Sequence, residues 1–297
     1  MTRKPRVVDV PRLQLVRTRS AVVDLSSFPD FLIAGPQRTG TTWIFRNLIA
    51  HPHLFLPGAK EIYYFSTLGK PDHAKYRFDF LEDYLAIFDE SLKERIKKSY
   101  DALRRCGAVY HPKWYGEATA TYATLKEEAI ADIASLNPRI KIVLMLRDPV
   151  ERTWSHAKKE IIRRLEPGQR ASEDDFLQFF QQAGQFRRSA MLEVVSKWRS
   201  HLPYDQIYLG DYAFLSSDPR GFLDDLCRFL AAPLPRRFDS PHLRATINPT
   251  TKEPLPPALL AWLNEHLSDD IKGSESLLRD FDSRWRQNHA TAAQLTN

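Results

Sequence analysis

The segment Phe31-Leu32-Ile33-Ala34-Gly35-Pro36-Gln37-Arg38-Thr39-Gly40-Thr41-Thr42-Trp43 limits the possible folds of this chain more than any other. Its uncharged apolar run reads as a buried parallel strand. A Gly/Pro turn stops the run, and a helical pattern then takes over from Thr41 through Ile49. A parallel strand of this kind needs helices over both faces, so the segment implies a layered α/β fold. The turn also has a chemical meaning. Backbone N–H groups there, together with the positive end of the following helix, form an anion site.

The same strand-then-helix order recurs along the chain. Lys113–Glu117 precedes Tyr122–Leu136, Ile140–Leu146 precedes Val150–Arg164, and Gln206–Leu209 precedes Pro219–Leu230. Such alternation specifies a doubly wound parallel sheet. Further helices are expected within Ala74–Leu103 and Asp174–His201, with a surface loop over Glu166–Ser172. Ala231–Pro257 holds seven prolines and little periodicity, and long irregular stretches of this kind are often lids or binding loops. A helical pair, Pro257–Leu267 and Ser274–Trp285, closes the pattern. The first 25 residues alternate basic and apolar side chains and read as an extended arm or an edge strand.

With 297 residues, 43% of them hydrophobic, the chain can bury a sizeable core. No apolar run reaches the roughly 20 residues of a membrane span, and the basic start lacks the apolar stretch of a signal peptide. The expectation is a cytoplasmic protein. Cys106 and Cys227 lie far apart in no metal-ligand spacing and read as buried apolar residues. A net charge of +6 suits anionic ligands but is modest for a nucleic-acid binder, so no nucleic-acid partner is expected. The basic clusters at Lys93–Lys98 with Arg104-Arg105, and at Lys158-Lys159 with Arg163-Arg164, read as solvated helix faces.

Gly35 and Gly40 have the spacing of the Walker pattern G-x-x-x-x-G-K-[ST], but Thr41 stands where its lysine belongs. The cation sits inside the loop, as Arg38. A second signal is Ile142–Leu146 followed by Arg147-Asp148-Pro149. A buried strand carries Arg147 to the carboxyl edge of the sheet, where open α/β folds place ligands. Asp148 reads as an N-cap with Pro149 as the first helical residue, and Ser155 follows about two turns along the same helix. An arginine and a hydroxyl can thus meet one phosphate.

Together these motifs resemble the sulfotransferase family, with its loop P-x-[RK]-[ST]-G-T-[TS]-W and a later strand ending R-[DN]-P followed by serine. Leu202–Pro219 is similar to the strand and helix that come after the family's cofactor sites. The resemblance implies a P-loop-type doubly wound α/β fold with helices on both faces. It also implies transfer of a sulfuryl group from 3′-phosphoadenosine 5′-phosphosulfate (PAPS) to a hydroxyl or amine. On this reading Pro36, Gln37, Arg38, Thr39, Gly40, Thr41 and Thr42 hold the 5′ side, and Arg147 and Ser155 hold the 3′-phosphate. A sulfuryl group carries less negative charge than a γ-phosphoryl, so no metal is expected to be required. Arg38 would neutralise charge developing on the departing phosphate.

In the glycan branch of the family, which includes heparan-sulfate-type enzymes, a glutamate before an x-x-F-F-like pair acts as base. Glu61, in Ala59-Lys60-Glu61-Ile62-Tyr63-Tyr64-Phe65, holds that place. Tyr115–Tyr122 resembles the branch's E-K-[ST]-x-x-Y-F segment with Ala118 in place of the lysine, which leaves Glu117 as a second candidate base and Lys60 as a candidate cation. The family's C-terminal K-G loop corresponds to Thr246–Pro254, where Lys252 is the candidate contact. The acceptor is expected to be a carbohydrate, a glycoconjugate or another small alcohol. The division expected is an arm at 1–25, a single domain at 26–290 and a tail at 291–297. The alternative reading is a P-loop kinase of a small metabolite, which calls for a lysine at position 41 and for magnesium.

Overall fold

The structure is a computed structural model that describes residues 6–9, 13–166, 169–245 and 253–294. In chain order the elements are β1 (Val7–Asp9), β2 (Val22–Asp24), β3 (Phe31–Gly35), α1 (Thr41–Leu48), β4 (Leu54–Phe55), α2 (Tyr64–Thr67), α3 (Leu81–Ala86), α4 (Leu92–Cys106) and β5 (Trp114–Ala118). A 3₁₀ turn (Ala120–Thr124) leads to α5 (Glu127–Leu136), β6 (Lys141–Leu146), α6 (Pro149–Ile162), α7 (Glu173–Phe180), α8 (Ala183–Ser189) and α9 (Met191–Arg199). The chain continues through β7 (Ile207–Asp211), α10 (Tyr212–Ser217), α11 (Pro219–Phe229), α12 (Pro257–His266) and α13 (Ser268–Gln294).

Five strands form one parallel sheet in the order β4-β5-β3-β6-β7. The first strand of the sheet therefore ends at its centre, flanked by the carboxyl ends of β5 and β6. That is the switch point at which open α/β sheets form a ligand crevice. Alternation along the strands covers both faces. Leu32, Ala34, Ile142 and Leu144 pack with Ile130, Ile133 and Trp198 on one side, while Phe31, Ile33, Val143 and Met145 pack with Ile44, Leu48, Phe222 and Leu226 on the other. The doubly wound α/β sheet expected from the sequence is present.

Local chemistry sets the element ends. The Asp148 carboxylate accepts the Glu151 N–H at 2.7 Å and Pro149 opens α6, as the sequence implied. Ser91 and Glu94 form a reciprocal capping box on α4, and left-handed Gly107 ends that helix. Cys106 and Cys227 are free and buried.

Two expectations are corrected, and one strand lay outside them. The helix expected over Tyr122–Leu136 is a 3₁₀ turn followed by α5, because tertiary bonds hold the turn: Ala120 N–H donates to Glu61, and the Tyr122 hydroxyl accepts the Phe65 N–H. Strand β4, two residues long, carries no periodicity from which it could be read. The helix expected from Ser274 begins earlier, at Ser268, and runs on to Gln294. Near the N-terminus, β1 and β2 pair with each other in an antiparallel ribbon, and Val16, Val23 and Leu25 are buried in the main core. The buried Asp132 carboxylate of α5 accepts the backbone N–H groups of Gln14, Leu15 and Val16 at 2.7 to 2.9 Å.

Candidate active site

The turn after β3 needs both of its glycines. Gly35 has φ +110°, and a Cβ there would lie 2.2 Å from the Ala120 carbonyl oxygen. Gly40, at φ +86°, is the N-cap of α1, where a side chain would press on Leu215 and Tyr212. No side chain caps α1 and its first turn holds no acid, so its leading N–H groups face a position suited to an anion. Pro36 and Thr39 are buried, with the Thr39 hydroxyl donating to the Pro36 carbonyl at 2.7 Å, while Gln37 and Thr42 are half-buried at the rim.

Three predicted residues meet beside this turn. Arg38 Nε donates to Ser155 Oγ at 3.0 Å, and Arg147 Nη1 donates to the Arg38 carbonyl at 2.9 Å. Burial, and after it the neighbouring Arg147 charge, lowers the Arg38 pKa. The Arg147 guanidinium also pairs with Glu151 at 3.3 Å and lies 4.3 Å from the centre of the Tyr212 ring. Arg38, Gly40, Thr41, Thr42, Trp43, Arg147 and Tyr212 line one small cleft.

The other side of the cleft is built on the end of β5. Glu61 N–H donates to the Ala118 carbonyl at 2.8 Å, the Glu61 carboxylate accepts the Ala120 N–H at 3.2 Å, and Ile62 N–H donates to Thr119 Oγ1 at 2.9 Å. These bonds hold Glu61 at φ +64°, an uncommon conformation for a residue with a side chain. Lys60 Nζ reaches Thr41 Oγ1 at 2.9 Å and Glu61 Oε1 at 2.7 Å. Burial lowers the Lys60 pKa and the Glu61 carboxylate opposes that shift. Glu61 is thus linked to the first residue of α1 through one ammonium.

Glu117 does not join this surface. It is fully buried, and desolvation pushes its carboxyl up to about 8. The Tyr122 and Tyr84 hydroxyls offset part of that shift, yet no hydrogen bond of ordinary geometry reaches either carboxylate oxygen. Trp43 and Trp154 are both buried: Trp43 donates to the Leu243 carbonyl, and Trp154 packs on Phe176. Lys252 and the rest of 246–252 lie outside the described residues.

One site residue escaped the sequence reading, and a second was placed wrongly by it. Tyr212 follows β7, and the Asp211-Tyr212 pair at a strand end is the signal that points to it, since Asp211 caps α10. Lys158, expected on a solvated helix face, is instead buried one helical turn beyond Ser155. Its Nζ donates to the Glu253 carbonyl at 3.4 Å, and burial followed by the charges of Arg147 and Arg38 lowers its pKa.

An arginine-bearing turn at an uncapped helix start, with a second arginine and a serine from the neighbouring strand and helix, defines a binder of anionic groups at a sheet switch point. Residues 29–236 match the model of the sulfotransferase family, and the chain belongs to that family. The match decides against the kinase alternative. Among curated proteins, the chain is 30% identical over 131 residues to the membrane-associated sulfotransferase kil1 of Dictyostelium discoideum, covering 44% of this chain and 23% of that protein. It is 24% identical over 242 residues to the bifunctional heparan sulfate N-deacetylase/N-sulfotransferase 1 of Caenorhabditis briggsae, covering 75% of this chain and 25% of that protein. The matches thus span about a quarter of the length of these relatives. A sulfotransferase from Alicyclobacillus acidocaldarius shares the fold, with a TM-score of 0.59 at 21% identity over 87% of this chain and 98% of that one.

Proposed function

We propose that this protein transfers a sulfuryl group from PAPS to a hydroxyl or amine of a carbohydrate, glycoconjugate or other small acceptor. The observation that carries the reading is the convergence of Arg38, Arg147 and Ser155 at the uncapped start of α1, with Glu61 tied to Thr41 through Lys60. Two anionic positions fit a nucleotide bearing both a 5′-phosphosulfate and a 3′-phosphate. Gln37 to Thr42 would hold the 5′ side on backbone N–H groups, and Arg147 and Ser155 the 3′-phosphate. Bound there, the nucleotide supplies an activated sulfuryl group with a phosphate as leaving group.

The chain's own residues do the rest. Glu61, one-quarter exposed, removes the acceptor proton as the new S–O bond forms. Arg38 and Lys60 set positive charge where negative charge builds on the leaving side. Glu117, buried beneath, supports the end of β5 instead of touching the acceptor. A carbohydrate acceptor is supported by the heparan sulfate enzymes among the relatives. The catalytic domain would work without metal in the cytoplasm, where two free buried cysteines are at home, and it takes in residues 13–25, expected from the sequence as a separate arm, because Val16, Val23 and Leu25 are buried in its core.

Thermal shift with 3′,5′-ADP or ATP, each with magnesium or EDTA, tests this directly. Stabilisation by 3′,5′-ADP that survives EDTA is expected, and a preference for ATP with magnesium sinks the proposal. Glu61→Gln is expected to keep 3′,5′-ADP affinity and to lose about 10²- to 10⁴-fold in turnover.

A further inference from the structure

Helix α4 stands apart from the reaction and has two apolar faces. One holds it to the fold: Ala102 and Cys106 are buried, and Lys98 pairs with Glu90 and lies 4.1 Å from the centre of the Phe55 ring. The other carries Leu92, Ile96, Tyr100 and Leu103, spaced by four, four and three residues and hence aligned on one side. These four are 74%, 62%, 66% and 61% exposed, and Val109, just past the helix end, is 74% exposed. A contiguous exposed stripe of this kind marks an interaction surface, unlike a single exposed leucine.

The charge beside the stripe identifies what it meets. Lys93, Lys97 and Arg104 are all exposed and fall roughly 60° to 100° around the helix from Ile96, so they border the stripe along its length. The acids of the helix are engaged elsewhere: Glu94 in the capping box with Ser91, and Asp101 facing Arg105. A second copy of this chain is a poor occupant. Four side chains on about four turns of helix offer well under the about 800 Å² per partner of a standard interface, and an antiparallel two-fold pairing would bring basic borders together. A low overall hydropathy, a narrow apolar stripe and a cationic edge are the features of helices that lie in a lipid headgroup layer.

We propose that α4 docks this protein on anionic lipid surfaces. Leu92, Ile96, Tyr100 and Leu103 enter the boundary between headgroups and acyl chains, while Lys93, Lys97 and Arg104 meet lipid phosphates. Among the described residues no helix is long and apolar enough to cross a membrane, and docking through one helix face is by its nature peripheral and reversible.

Co-sedimentation of the full chain with sucrose-loaded vesicles tests the proposal, comparing phosphatidylcholine alone with a mixture containing one-third phosphatidylglycerol. Binding to the anionic vesicles, weakened by added salt, is expected. Ile96→Ser with Leu103→Ser should lower partitioning at least tenfold, because both lose apolar burial. Lys93→Gln, Lys97→Gln and Arg104→Gln should each cost about fivefold, as expected for a cation at an anionic surface. Lys197→Gln on α9, an equal change of charge, should have little effect. Circular dichroism and sulfuryl-transfer turnover should be unchanged in every variant, since these residues lie on the surface away from the site.

Three results overturn the proposal: no preference for anionic vesicles, binding that survives Ile96→Ser with Leu103→Ser, or equal losses from Lys197→Gln and Lys97→Gln. So does concentration-dependent dimerisation in light scattering that Ile96→Ser abolishes, which would assign the stripe to a second copy.

Discussion

Lys60 Nζ lies 2.9 Å from Thr41 Oγ1. Thr41 occupies the position at which the Walker pattern places lysine, so an ammonium reaches the start of α1 from a different segment of the chain. The same ammonium lies 2.7 Å from Glu61 Oε1. One cation therefore touches both the anion-binding turn and the proposed base, and its removal should disturb both. A half-buried lysine of this kind acts most strongly on charge that develops during reaction.

Lys60→Ala is expected to lower turnover by about 10²- to 10³-fold while changing 3′,5′-ADP affinity less than tenfold. Steady-state kinetics beside calorimetric titration of 3′,5′-ADP separates the two effects. Weakened 3′,5′-ADP binding with turnover unchanged at saturating PAPS would assign Lys60 to nucleotide binding alone.

Arg147 and Ser155 should govern affinity. Arg147→Ala is expected to weaken 3′,5′-ADP binding by about 10²-fold and Ser155→Ala by about tenfold, in line with charged and neutral hydrogen bonds. Tyr212→Leu removes the ring beneath Arg147 and should cost about two- to fivefold. Replacing the 3′-phosphate ligand by 5′-AMP should erase the difference between parent and Arg147→Ala. A difference that persists would place Arg147 on the 5′ side.

Gly35→Ala should destabilise the protein by more than about 3 kcal/mol, because the new Cβ meets the Ala120 carbonyl in a left-handed conformation. Gly58→Ala is the control, since nothing lies within 4 Å of its added Cβ, and it should fall within about 0.5 kcal/mol of the parent. Urea denaturation with equal m-values would measure both.

The Glu117 carboxyl makes stability fall as pH rises. Its ordinary value is 4.5, and burial raises it to about 8 in the folded protein. Between these values the folded state keeps a proton that the unfolded chain has released, so the slope is negative and at most about 1.4 kcal/mol per pH unit. Glu117→Gln should flatten the profile between pH 5 and 8 and leave the variant more stable than the parent above pH 8. Parallel profiles would show that Glu117 carries no proton in the folded state.

Much of this site was legible because local rules fixed it. Arg147-Asp148-Pro149 specifies a strand end and a helix start, and helical geometry then carries Ser155 toward Arg38. The turn at Gly35–Gly40 was legible for the same reason. Glu117 was not, because its environment depends on register: it lies beside Leu32 in the sheet and shares that residue's buried face. Tyr212 needed the strand order as well, since only the pairing of β7 with β6 brings it beneath Arg147. The cations of α4 read as a solvated helix face, but which apolar residues the fold would leave uncovered beside them was not legible.

The bonds from Gln14, Leu15 and Val16 to Asp132 couple the N-terminal segment to the stability of the whole domain. The Asp132 carboxylate is 2% exposed and depends on these three backbone donors. Proteolytic loss of the chain up to residue 16 would remove all three donors together with the buried Val16 side chain, at a cost of about 1–3 kcal/mol, a large share of a domain's net stability. A nicked molecule would therefore tend to unfold and be degraded, so damage at this end would not leave a long-lived enzyme with altered behaviour.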